Sequence, residues 1–257
     1  MKTICSLLLF FLISNNLIIA QSGANEILYQ KGMKDREEYK YYEGLALFQL
    51  LLKTDSSNVD YLAQTSYFLS RVGQLQPTMD QRMNYYYKAE YIAKKSVALG
   101  HDNAEAHYSY SLALGRINEH ASHKQMIANA KLIKSELDTC LKINPKHDFA
   151  WHILGRWHRE IAGLNGIERF MVNALYGGMP VGGTYADAII CFQNAIKYNP
   201  RYILHYFELA KTYYIRDNKG DKELAREILK QALQLPDIAP DDLENRKNCE
   251  NLLKKLE

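Results

Sequence analysis

Two short runs of residues, each set at a fixed distance from a proline, constrain what this chain can fold into more than any other feature. Ala188, Phe192, Ala195 and Pro200 are spaced four, three and five apart, which puts small or aromatic side chains on one helical face ahead of a helix stop. Just upstream, Trp151, Leu154, Gly155 and His158, spaced three, one and three, mark a second helical face. Large residues on one helix and small ones on its neighbour let the two approach closely as a hairpin. The phase holds along the chain. Pro145 precedes Trp151 by six residues and Pro200 precedes Tyr206 by six. Leu209, Ala210 and Tyr213 then repeat the first face, and Ala225, Leu229 and Ala232 repeat the second up to Pro236. Upstream, His107, Tyr110, Ser111 and Leu114 keep step, as do Leu62, Thr65, Ser66 and Leu69, with second helices near 44–52 and 89–99.

This is the spacing of a tetratricopeptide-type repeat, so the fold expected over residues 21–257 is an all-α helical-hairpin solenoid of four repeats plus an opening half. The composition agrees: 19 tyrosines stand beside only 14 glycines and 6 prolines, few breakers and many amphipathic rings, as long packed helices need. One unit is oversized. Pro145 and Pro200 are 55 residues apart, whereas a unit takes about 34. The excess falls in 163–185, as an amphipathic helix bearing Ile167, Phe170, Met171, Ala174 and Leu175, then a glycine-rich loop from Gly177 to Gly183.

The first twenty residues are of another kind. Lys2 supplies a positive start, Ile4 to Ile19 is apolar apart from small or amide residues, and Ala20-Gln21 ends the run, the pattern of a cleaved secretory signal. The expectation is an exported chain, periplasmic or secreted, with no membrane span after cleavage. Loss of Lys2 takes the formal charge from +3 to +2, a balance that argues against nucleic acid as a partner. Cys140, Cys191 and Cys249 remain, an odd count without Cys-x-x-Cys spacing, and read as small buried helical residues with at most one adventitious pair.

Motifs for chemistry are lacking. His120 and His123 share a helical face, but only Glu119 is near them and no His-Glu-x-x-His occurs. The glycine-rich loop has no lysine and follows a helix, so it is no phosphate cradle. The run Tyr85-Tyr86-Tyr87 reads as packing between repeats rather than as a stacking platform. No cofactor, metal or catalytic residue is expected, and the chain reads as a binding protein rather than an enzyme.

The stretch from Trp151 to Trp157, then Ala162-Gly163-Leu164, Glu168-Arg169, the glycine-rich insertion and Thr184-Tyr185 before Ala188, resembles the repeat domain of the regulator of microtubule dynamics protein family. The resemblance spans about Asp102 to Pro236 and includes the oversized insertion. It implies a helical repeat domain without catalytic function, in a family linked to microtubules and to membrane contacts, including lipid handling. The secretory signal sets this chain apart from the eukaryotic members. A binding role toward a peptide or a lipid survives the change of compartment.

In repeats of this kind the first helices line the concave surface, at one, five, eight and nine residues past the Trp151-equivalent. The best repeat thereby contributes His152, Arg156, Arg159 and Glu160, and the preceding one Tyr108, Leu112, Gly115 and Arg116. The earliest contributes Tyr67 and Arg71, the last Phe207 and Lys211. Tyr67, Arg71, Tyr108, Arg116, His152, Arg156, Arg159, Phe207 and Lys211 are therefore the candidate ligand-binding residues. Guanidinium forks facing a groove suit carboxylate or phosphate, which points to a protein or peptide partner, or to an anionic amphiphile. The alternative is a lipid held in an apolar pocket beneath the insertion.

Overall fold

First helices of the central repeats begin on residues whose side chains cap them. Asn58 accepts from the Tyr61 amide, Asn103 from that of Ala106, and His147 from that of Ala150. Three second helices start on Thr78, Ser122 and Thr184, the first with a reciprocal capping box to Gln81. The computed structural model describes residues 22–175 and 177–257, so the expected signal segment, 1–20, lies outside the described residues.

Among the described residues there are twelve helices and no strand. A helix over 22–37 (α1) precedes α2 (Tyr41–Thr54). The hairpins α3 (Val59–Gln74) with α4 (Met79–Leu99), and α5 (Ala104–Asn118) with α6 (His123–Ile143), follow. Then α7 (Asp148–Gly163) pairs with α9 (Tyr185–Tyr198) across the short α8 (Gly166–Leu175). Finally α10 (Ile203–Arg216) pairs with α11 (Asp221–Leu233), and α12 (Asp242–Leu256) closes the stack against both. The all-helical solenoid expected from the spacing is the fold observed.

Three bonds explain why the phase is tied to the residue six places before each first-helix aromatic. The Trp151 indole donates to the Pro145 carbonyl at 2.9 Å, the Tyr206 hydroxyl to the Pro200 carbonyl at 2.9 Å, and His107 Nε2 to the His101 carbonyl at 3.0 Å. Each links the start of a first helix to the turn ahead of it. Small residues then permit close approach: a Cβ on Gly155 would lie 2.9 Å from the Phe192 ring, and one on Gly32 would lie 2.6 Å from that of Phe48. The second pair shows that the opening unit is a full hairpin, α1 with α2, rather than a lone second helix.

Packing forms two clusters, one running from α2 to α7 and centred on residues such as Phe48, Phe68 and Leu137, the other from α9 to α12 on Phe192, Ile203 and Leu229. Cys140, Cys191 and Cys249 are free and buried in these clusters, and burial pushes each thiol up to about 12. Tyr86 is buried, whereas Tyr87 is 55% exposed, so only part of the tyrosine run serves packing. No helix among the described residues is long and apolar enough to cross a membrane.

Candidate functional site

The concave face is built by α3, α5, α7 and α10, and two further segments reach across it. Tyr39, in the α1–α2 turn, holds a left-handed backbone (φ 56°) and stacks on Tyr202, with ring centroids 6.4 Å apart. Phe149 meets Tyr202 edge-on at 5.2 Å. From the turn before α12, Asp241 accepts a bond from the Tyr202 hydroxyl at 3.2 Å. The groove is thereby divided into two cavities, of about 330 and 460 Å³, both touched by Phe149.

Of the candidate residues, Arg71, Tyr108, Arg116, His152 and Arg156 come together round the smaller cavity. Arg71 is buried, stacks its guanidinium over the Tyr41 ring at 4.8 Å and donates to the Tyr41 hydroxyl at 2.5 Å. Arg116 donates to Gln74 at 2.7 Å and to Glu119 at 3.0 Å. The Nε of Arg71 and that of Arg116 are buried without a partner among the described residues. Arg156 is the open one: its side chain is 42% exposed and only Glu160 approaches, at 3.8 Å.

His152 sits in a buried chain. Its Nδ1 lies 2.9 Å from His205 Nδ1, and His205 Nε2 lies 3.4 Å from the Asp148 carboxylate, which also accepts from Asn199 at 2.8 Å. Burial, with His205 and nearby arginines adding to it, holds the His152 pKa well below the ordinary imidazole value, so the ring is neutral.

The other candidates lie elsewhere. Tyr67 lines the larger cavity, beneath the Arg36 guanidinium at 4.2 Å. Arg159 is buried against the Glu208 carboxylate, 3.3 Å from Thr212 Oγ1, so its fork is spent between α7 and α10. Phe207 and Lys211 line neither cavity, and the Lys211 ammonium rests 5.9 Å from the Phe207 ring centroid. Ile167, Phe170, Met171 and Leu175 of α8 are exposed and border neither cavity, whereas Val172 of the same helix is buried.

Arg36, on α1, escaped the spacing. It bonds to Glu105 at 2.6 Å and to Gln64 at 2.9 Å while lying over Tyr67, and so fills the N-terminal end of the concave face. Burial alone would raise the Glu105 carboxyl, but Arg36 and His147 hold it well below the usual carboxylate range. Carrying the offsets back to Leu28 would have found Arg36, which lies eight residues on. The acidic wall from the C-terminal segment, Asp241 and Glu244 beside Asn245, has no such signal.

Five stacked helical hairpins with small residues at the closest approaches define a tetratricopeptide-type scaffold. A thermophilic TPR protein of Thermus thermophilus has the same fold, with a TM-score of 0.63 at 16% identity over 90% of this chain and 99% of that one. The family profile described as regulator of microtubule dynamics protein 1-3 matches residues 25–257, and the chain belongs to that family. Regulator of microtubule dynamics protein 3 from Bos taurus is 27% identical over 210 residues, 80% of this chain and 44% of that protein. Protein 1 from the same species is 27% identical over 225 residues, 86% of this chain and 70% of that protein. The chain thus spans less than half the length of the first of these relatives.

Proposed function

We propose that the chain is a non-catalytic binding scaffold that holds the anionic group of a peptide or amphiphile in the smaller concave cavity, with Arg71, Arg116 and Arg156 as the receiving residues. The observation that carries this reading is the convergence of three arginines, from α3, α5 and α7, on the lining of one cavity. A guanidinium binds an oxygen anion more strongly than any neutral acceptor. The name borne by the relatives, regulator of microtubule dynamics, makes a protein partner the first class to test.

Arg156→Ala should weaken binding of a glutamate-rich peptide by about 1–3 kcal/mol without altering the melt, and Arg156→Lys should recover only part of the loss. Calorimetric titration of both variants checks this, and full recovery by lysine would remove the two-pronged contact from the account. Export belongs to the same proposal. The mature chain should begin at or close to Gln21, and N-terminal mass analysis of the natural protein that finds intact Met1 would count against it.

A further inference from the structure

The smaller cavity carries both signs of charge. Beside the arginines of α3, α5 and α7, the C-terminal segment brings Asp241, Glu244 and Asn245 to the same lining. Asn245 is 5% exposed, and its Nδ2 is buried without a partner among the described residues. The Oδ1 of Asp241 is likewise buried and unpartnered, although its other oxygen is held by Tyr202. Among the described residues no salt bridge joins Asp241 to Arg71 or to Arg116, so side chains of both signs line one space without pairing directly across it. A ligand carrying a single negative charge would meet the arginines but would be repelled by the carboxylates of Asp241 and Glu244 on the same lining.

We infer that the ligand is a zwitterion of amino-acid type, a free α-amino acid or a dipeptide, with its carboxylate toward Arg71 and Arg116 and its ammonium toward Asp241 and Glu244. This rests on the smaller cavity being the binding site. A volume of about 330 Å³ is at the low end for small-molecule sites, which suits a ligand of this size. Leu112, Ile133, Ile153 and Trp157 supply an apolar part of the lining, which suits an apolar or aromatic side chain. His152, held neutral, adds no further positive charge to this lining.

The test uses three molecules sharing one ring: L-phenylalanine with both charges, 3-phenylpropanoate with only the carboxylate, and phenethylamine with only the ammonium. Binding to the full chain is followed by calorimetry and by tryptophan fluorescence, to which Trp157 of the lining contributes beside Trp151, with Leu-Phe as the dipeptide probe. L-Phenylalanine or Leu-Phe should bind about ten-fold or more tighter than either singly charged analogue. Asp241→Asn should abolish that advantage over 3-phenylpropanoate, and Glu244→Gln, at an exposed residue whose change does not threaten folding, should reduce it. Equal affinity for L-phenylalanine and 3-phenylpropanoate, with both lost in Arg116→Ala, would overturn the zwitterion and leave the anion site standing. Failure of all three and of Leu-Phe to bind, while a glutamate-rich peptide binds, would overturn it too. Failure of that peptide as well would take down the site itself.

Discussion

Two glycines at the concave helices should respond to the same substitution with opposite signs. Gly155 of α7 faces Phe192: an added Cβ would lie 2.9 Å from Cε1 and Cζ and 3.0 Å from Cδ1, where ordinary contact is 3.4–4 Å. Phe192 is fully buried, with Arg159 over its ring at 5.6 Å, so the ring has no free direction in which to move. Overpacking of this kind costs about 1–3 kcal/mol, partly offset by the gain of up to about 1 kcal/mol from replacing a helical glycine by alanine. Gly115 of α5 has nothing within 4 Å of the added Cβ, so there the gain stands alone. The two alanine variants should therefore differ by about 2 kcal/mol, which in a chain of this size is about 4–8 °C in melting temperature. Thermal unfolding followed by circular dichroism measures it. Shifts of the same sign and size would refute the close-approach assignment at Gly155, and with it the register of the fourth hairpin.

Arg159→Ala should destabilise the fold by about 3–5 kcal/mol by stranding the Glu208 carboxylate, which is 6% exposed, whereas a double change to Met and Leu should restore most of the loss. Urea unfolding of the single and double variants decides it, and a single variant as stable as wild type would show that Glu208 finds water. The lowered pKa of His152 gives stability that is present in full above the ordinary value of 6.5 and is lost as pH falls through the lowered value. His152→Asn, whose amide can still hydrogen-bond His205, should flatten that acid limb, and identical pH dependence in both proteins would mean that His152 charges without cost.

The register was legible because it is a packing rule. Gly155 and Phe192 must pair for α7 and α9 to touch, and the hydrogen bonds to Pro145 and Pro200 fix where each unit starts. The same rule hides in α1, where Gly32 and Phe48 lie sixteen residues apart, the distance from Gly155 to Phe192 once the 21 inserted residues are removed. The large residues that would mark the face are replaced there by Leu28, Lys31 and Asp35, so the pattern did not show. Offsets along one helix also say which residues face the groove, not what meets them. Arg159 was placed correctly on its helix, but Glu208 of the next repeat takes its charge. Asp241 reaches the cavity because α12 packs back on α10 and sets the turn before it against Tyr202, a contact between elements that no spacing along one helix records.

The most direct test of the binding site is a calorimetric titration of a glutamate-rich peptide into wild type and into the Arg71→Gln, Arg116→Ala, Arg156→Ala triple variant, at low and at high salt. Arg71→Gln keeps a donor beside Tyr41, so that the melt of the variant can be checked before binding is read. The expected result is saturable binding to wild type that weakens as salt rises, and a loss of about ten-fold or more in the folded triple variant. Equal affinity in the two proteins, both folded, would show that these arginines serve the internal contacts of the solenoid and that no ligand is held by them.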